Sequence, residues 1–447
     1  MADSFTVMVV GGGAREHTIS EAYEKSPGVD KIVVAPGNDF ISYKRNKEVI
    51  TEKCFLKQPQ SILKVADKYK PDLVDVAQDD ALAGGTVDLL SKNNFTVFGP
   101  NKCSSKIEWD KIWSRKFMER NGIPTPKFSC FDSKFAAKNY AKYLFENYNI
   151  EGRKGSVFIK AKGLTGGKGA LEARNLDEAI DNIEKMDSFG DAGKRFVIEE
   201  GLVGEEFSTY AISDGENYHI FKSAQDNKRI FNFDKGKQTG GMGAISPAMV
   251  TEPIKKEIDE RLIERAIKGM NKEGNRYRGI LYLGGIASDD VSNIEYNARW
   301  GDPECQVVLP SVKTDYLEMV MSAVNGDLDM IDIKEDEKTR VCVVGASKGY
   351  PTDYSDAKGK RIYGIDEAMK MDGIKIYGAG IKMEDDKRYA NGGRLFSMVG
   401  EGKDIAEAKK KAYSAIACVN IEGNNLHYRT DIGWRDVERH LKEKHKL

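Results

Sequence analysis

The chain has 447 residues, enough for about three domains of the usual ~150 residues each. Hydrophobic residues make up 40% of it and charged residues 31%, the make-up of an ordinary globular protein. Its 69 Lys and Arg nearly cancel its 70 Asp and Glu, which excludes the basic excess that nucleic acid or an anionic membrane favours.

The first hundred residues alternate short apolar runs with helical patterns. Thr6–Val10 reads as a strand, followed by Gly11-Gly12-Gly13 and a helix from about Arg15 to Lys25. Lys31–Val34, Leu73–Ala77 and Thr96–Phe98 read as further strands, the first ending in Ala35-Pro36-Gly37-Asn38 and the last in Gly99-Pro100-Asn101. Strands separated by helices imply a parallel sheet with crossover helices, which binds ligands at the strand C-terminal ends. The GGGAREH turn suits an anion, since glycines admit it to the backbone and the helix N-terminus donates N–H groups. It is not GxGxxG, because Glu16 stands where the last glycine belongs, and no acid follows Lys31–Val34 to grip a ribose. A tight strand–helix turn is the alternative reading.

A helix is expected over Lys106–Asn121, stopped by Gly122-Ile123-Pro124-Thr125-Pro126. Ser156–Lys160 is a strand leading into the loop Lys160-Ala-Lys-Gly-Leu-Thr-Gly-Gly-Lys-Gly169. Three residues, not four, separate Gly163 from Gly167-Lys168, and Gly169 replaces the Ser/Thr, so this is not a Walker loop. It suits a flap over nucleotide phosphates, with Lys160 on the α/β-phosphates and Lys168 toward the γ-phosphate; a solvated basic hairpin is the alternative. Arg195–Glu199 is a strand running into Glu200, Gly201 and Leu202, a connector able to offer backbone groups to an adenine edge, and Glu206 is placed to accept from ribose hydroxyls.

Glu206–Ile212 and Tyr218–Lys222 read as a hairpin, as do Leu281–Ala287 and Asn293–Tyr296. Strand alternation puts Glu295 and Asn297 on one face, with Arg299 continuing the register. Two oxygen ligands beside an Arg suit Mg²⁺ bridging phosphates, with the Arg on the transferred group. Trp300-Gly301-Asp302-Pro303-Glu304 follows as a polar turn. Gln225-Asp226-Asn227-Lys228-Arg229 and Thr239-Gly240-Gly241-Met242-Gly243-Ala244 flank a polar linker that could grip a substrate phosphate or be an ordinary loop. Beyond about residue 328, short strands (Val341–Val344, Lys375–Gly378, Arg394–Val399) and a helix, Asp404–Val419, suggest a small α+β module.

Six cysteines, at 54, 103, 130, 305, 342 and 418, form no CxxC pair, which suits reduced thiols better than a disulfide framework. The five histidines suggest no metal cluster, and the N-terminus has no basic region or long apolar run, so cytoplasm is the expected location.

The ordered series of helix Lys, strand Lys, Gly flap, E-x-x-L connector and E-x-N-x-R strand resembles the ATP-grasp superfamily. GGGAREH, VAPGN, KAKGLTGGKGA, EEGLVGEE, SAQDNKR, TGGMGAISP, EYNARWGDPE and YRTDIGWRD resemble the phosphoribosylamine–glycine ligase family within it, over nearly the whole chain. The resemblance implies an N-terminal doubly wound domain (1–103), an ATP-grasp domain with a mobile lid (104–327, lid roughly 125–198) and a small C-terminal α+β domain (328–447). It implies ligation of glycine to 5-phosphoribosylamine at the expense of ATP, through glycyl phosphate, in purine synthesis.

Carried over by position, Lys111, Lys160, Lys168 and Gly167 contact the nucleotide, Glu199, Glu200 and Leu202 form the adenine hinge, and Glu206 the ribose contact. Glu295 and Asn297 hold Mg²⁺ or Mn²⁺, and Arg299, with Lys160 and Lys168, stabilises the transferred phosphoryl group. Gly11, Gly13, Pro36, Gly37, Asn38, Asp226, Lys228, Arg229, Gly240, Gly241, Arg299 and Asp302 belong to the substrate side. The partners implied are these small molecules, with no nucleic acid and no membrane; monomer and dimer stay equally open. The chain departs from the family at Ala77-Gln78-Asp79 (usually Gly-Pro-Glu), Lys162 (usually Asp), Thr165-Gly166 (often Ala) and Asn227 (usually His). Another carboxylate-activating ATP-grasp ligase, or a non-catalytic nucleotide sensor, are the competing readings.

Overall fold

The computed structural model describes residues 5–147, 156–166 and 168–444. The N-terminal region is a five-stranded parallel sheet in the order Glu48–Thr51, Val29–Pro36, Phe5–Gly11, Leu73–Val76, Val97–Phe98. Its inner strands are largely apolar because helices cover both faces. The order reverses between Phe5–Gly11 and Leu73–Val76, so a crevice opens beyond Gly11, as a doubly wound sheet dictates. The edge strand Glu48–Thr51 was not expected; its short, half-buried sequence carries no apolar run.

A four-stranded antiparallel sheet follows, in the order Phe128–Phe131, Phe196–Glu200, Val157–Ala161, Ala170–Ala173. The helices Lys134–Asn147 and Leu176–Lys185 pack on it and give it its own core, including Ala141, Leu144, Ile159, Ile183 and Phe196. A second four-stranded sheet runs Tyr218–Ile220, Glu205–Asp214, Arg278–Ala287, Val291–Asn297. Both expected hairpins are present in it as antiparallel pairs. Lys160 and Glu199 on the first sheet and Glu295 on the second line one cleft.

Two segments differ from the sequence expectation. The helix expected over Lys106–Asn121 is two, Lys106–Trp109 and Lys111–Arg120, because Asp110 is extended (φ −121°) and caps the second, accepting from the Trp113 N–H at 3.0 Å. The polar stretch from Gln225 to Ala244 is not only a linker. Gln225–Asp226 and Gly243–Ser246 are strands of the C-terminal sheet, which continues through Thr339–Ser347, Arg394–Gly402 and Ile374–Gly378. That sheet is therefore built partly from residues before 328. The helix Ile405–Ile416 lies on it, capped by Asp404. Among the described residues no helix is long and apolar enough to cross a membrane, and all six cysteines are free.

Candidate active site

The cleft between the facing sheets is lined by Glu108, Lys111, Arg115, Lys160, Glu199 and Glu295, with Ile107, Met118 and Val197 as its apolar wall. Lys160 enters from the strand Val157–Ala161 and forms an ion pair with Glu199 on the neighbouring strand. Glu199 also takes Arg115, at 2.5 Å. Burial works against an ionised Glu199, but the Arg115 and Lys160 cations hold its carboxyl below the usual range. Arg115 reaches further, donating to Thr125 Oγ1 at 2.7 Å and to the Ile294 carbonyl at 2.5 Å. It thereby ties the helix Lys111–Arg120 to both sheets.

Glu295 stands on the opposite wall, with Lys111 Nζ 3.6 Å from its Oε2. Burial raises its pKa, yet Lys111, Lys160, Lys228 and Arg299 outweigh it and bring the carboxyl down to about 2. Lys111 and Lys160 line the same cleft, and two such cations suit a polyphosphate. Asn297 follows on the same strand face, its Nδ2 buried without a partner. Arg299 pairs with Glu108 at 2.7 Å, and the other Glu108 oxygen accepts from the Ala298 N–H at 2.8 Å. No cluster of three or more His, Cys, Asp or Glu fit to hold a metal exists among the described residues. An ionised carboxylate and an amide oxygen instead fit Mg²⁺ shared with phosphates, which needs few protein ligands.

Lys228 lies 2.7 Å from Glu206 Oε2 and 3.6 Å from Asp226 Oδ1. Its ammonium holds Glu206 below the usual carboxylate range, whereas burial pushes Asp226 up to about 7 despite Lys228. Arg229 turns the other way, to Glu172 on the flap's second strand at 2.5 Å. Glu200 points outward and accepts from the Lys127 N–H at 2.9 Å, and Leu202 sits beside it on the connector. Lys168 is exposed on the flap; Gly167 lies outside the described residues.

A second cluster is built from backbone turns. The Gly37 N–H donates to the Gly11 carbonyl at 3.0 Å, and Asn38 Nδ2 donates to the Gly12 and Gly378 carbonyls at 2.9 and 3.0 Å. A Cβ on Gly12 would stand 2.6 Å from the Gly37 oxygen, so the turns touch only because Gly12 has none. The Gly13 N–H is already spent on Glu16 Oε2, at 2.6 Å. The turn is thus less open to an anion than the GGGAREH pattern suggested. Asp302 lies beside Gly13, and Pro303 against Gly241. Arg394, from the C-terminal sheet, fastens this meeting point by donating to the Gly240 carbonyl at 2.9 Å and the Asp302 carbonyl at 2.8 Å. Arg15 donates to the Trp300 carbonyl at 3.1 Å from the N-terminal side.

The structure therefore gathers Lys111, Lys160, Glu199 and Glu295 in one cleft and Gly11, Gly13, Pro36, Gly37, Asn38, Gly240, Gly241 and Asp302 around one turn. Arg115, Glu108, Glu16 and Arg394 were missed. Glu16 stood within GGGAREH, and Glu108 carried the signal of a carboxylate between Ile107 and Trp109, three residues before Lys111.

The sequence matches the phosphoribosylglycinamide synthetase N domain over residues 5–108, its ATP-grasp (A) domain over 109–305 and its C domain over 340–435. A phosphoribosylamine–glycine ligase of Fusobacterium nucleatum is 38% identical over 434 residues, covering 96% of this chain and 98% of that protein. A bifunctional purine biosynthetic protein of Dictyostelium discoideum is 36% identical, and this chain spans 56% of its length. The crystal structure of phosphoribosylamine–glycine ligase from Thermotoga maritima superposes with a TM-score of 0.78 at 30% identity, covering 96% of this chain and all of that one. Biotin carboxylase from Campylobacter jejuni shares the fold, with a TM-score of 0.69 at 17% identity over 95% of this chain and 92% of that one.

Proposed function

The chain belongs to the phosphoribosylglycinamide synthetase family, and on that premise we propose how its residues share the work of the reaction. The protein is an ATP-dependent ligase that joins glycine to 5-phosphoribosylamine, giving glycinamide ribonucleotide, ADP and phosphate in purine biosynthesis. The observation that carries the assignment of roles is the cleft that brings Lys111, Lys160, Glu199 and Glu295 together, with Lys111 Nζ 3.6 Å from Glu295 Oε2.

Glycine's carboxylate is a poor acyl donor. Transfer of the γ-phosphoryl group to a carboxylate oxygen makes glycyl phosphate and releases ADP. The amine of phosphoribosylamine then attacks the carbonyl, loses a proton and expels phosphate. The protein mainly positions the reactants and screens charge. Lys111 and Lys160 neutralise the polyphosphate, and Glu199 with Arg115 holds the Lys160 side chain. Glu200 to Leu202 border the adenine, and Glu206 faces the ribose. Glu295 and Asn297 would hold Mg²⁺ (or Mn²⁺), which supplies charge neutralisation at the phosphates. Arg299, braced by Glu108, faces the transferred group. The Gly-rich flap, carrying Gly167 and Lys168, excludes water that would hydrolyse glycyl phosphate. On the substrate side, Asp226, Lys228 and Arg229 line the approach from the ATP cleft. The turns at Gly11, Gly13, Pro36-Gly37-Asn38, Gly240-Gly241 and Asp302 border phosphoribosylamine. The six free cysteines suit a reducing cytoplasm.

Purified protein is expected to release ADP only with glycine and phosphoribosylamine both present, and mass spectrometry should find glycinamide ribonucleotide. Turnover with another carboxylate, and none with glycine, would overturn the substrate assignment.

A further inference from the structure

Lys162 follows the strand Val157–Ala161 and forms the root of the Gly-rich flap. Its backbone is held on both sides, the N–H by the Arg195 carbonyl at 3.0 Å and the carbonyl by the Lys111 N–H at 2.9 Å. Its ammonium lies 3.3 Å from Asp110 Oδ2, with the Asp110 side chain 7% exposed and that of Lys162 34%. The pair is therefore partly out of water, where attraction is stronger than between fully exposed charges.

Asp110 has two duties at once. One oxygen caps the helix Lys111–Arg120, and the other meets the flap. The very next residue, Lys111, faces Glu295. The position of the flap root is thus connected to the first cation of the cleft through one carboxylate and one backbone hydrogen bond. Lys106 Nζ lies 4.0 Å from the same Asp110 oxygen, so Lys162 is the nearer of its two lysine partners.

We propose that the Lys162–Asp110 pair is the catch that seats the flap on the N-terminus of the nucleotide helix, so that Lys162 is a positioning residue for ATP. This rests on the reading that the cleft binds ATP.

The test uses the full-length protein with Lys162→Gln, Asp110→Asn, both together, and Lys162→Asp. Asn caps a helix about as well as Asp, so Asp110→Asn removes the charge and keeps the cap. ATP affinity is read by titration calorimetry, and KM for ATP and kcat by ADP release. Each neutral single variant is expected to weaken ATP binding about threefold, the size of a partly exposed ion pair. The double variant should bind no worse than the weaker single one. Lys162→Asp should be worse than Lys162→Gln, because it faces Asp110 with a like charge, and adding Asp110→Asn should relieve most of the excess. At saturating ATP, kcat should stay within about twofold, as the pair touches no reacting atom. Single effects that multiply in the double variant, or a Lys162→Asp protein that matches Lys162→Gln, overturn the catch alone. A parent protein that binds no ATP overturns the catch and the proposed function together.

Discussion

The two halves of the site are made of different material. The cleft proposed for ATP is built from polar and charged side chains on regular elements: Lys160 and Glu199 on neighbouring strands, Glu295 and Asn297 on another, and Lys111 and Arg115 on a helix. The side proposed for phosphoribosylamine is built from backbone turns around Gly12, Gly37, Gly241 and Pro303, fastened by Arg15 and Arg394 from outside it. Side chains held by strand and helix geometry act on charge. Turns act on shape. Changes in the cleft should therefore strike kcat, and changes at the turns should strike substrate KM.

The largest effect expected is from Arg299→Ala. Removing a pre-placed charge that meets the transferred group typically costs about 10²–10³ in kcat. Steady-state ADP release checks this, and a variant with normal kcat would remove Arg299 from the chemistry. Glu108→Gln comes next, with a fall in kcat of roughly tenfold. Arg299 would keep its charge and lose its ionic brace, while the amide could still accept from the Ala298 N–H. Glu108→Asp, which restores the charge, should recover part of the rate. If the Gln variant loses melting temperature and no kcat, Glu108 supports the fold and not the Arg.

Arg394→Met tests the other half. Its loss frees the Gly240 and Asp302 carbonyls from their common donor, so KM for phosphoribosylamine should rise several-fold, less than the roughly tenfold or more of a lost charge-assisted hydrogen bond because Arg394 acts through the turns. KM for ATP should not move. A fall in kcat with unchanged KM would break the division between the two halves.

The same contrast explains what the sequence could reveal. Val7–Val10 and Val341–Val344 are apolar runs, and both are strands. Glu295 and Asn297 are two apart, and strand alternation alone puts them on one face. The ordered Lys, flap, connector and E-x-N-x-R series was legible for that reason, since its chemistry lies along local elements. Gln225–Asp226 is a strand of two polar residues that exists only because Gly243–Ser246 pairs with it. Asp110 broke an expected helix because a side-chain cap prevailed over helical continuity. Arg394 follows Asp302 by some ninety residues and meets it through the C-terminal sheet, a contact no local pattern carries.

The smallest effect tests how the turns are held. His17, the last residue of GGGAREH and part of the helix Ala14–Lys25, lies between the rings of Phe40 and Tyr377 and accepts the Gly378 N–H on Nδ1 at 3.0 Å. It joins the N-terminal helix to the C-terminal sheet next to Asn38. Burial first and the Arg45 cation second bring its pKa from 6.5 down to about 3, with Glu21 opposing both. The folded protein thus holds His17 neutral, while an unfolded chain protonates it below about 6.5. Its contribution is complete above that value and is lost as pH falls from about 6.5 toward 3, by at most ~1.4 kcal/mol per pH unit. His17→Asn keeps an acceptor near the Nδ1 position and cannot titrate. Between pH 6.5 and 5 the parent's melting temperature should fall more steeply than that of the Asn variant, by roughly 2 °C per pH unit. Parallel curves would mean that the folded protein does not hold His17 neutral over this range, and would remove its contact with Gly378 from the pH dependence of stability.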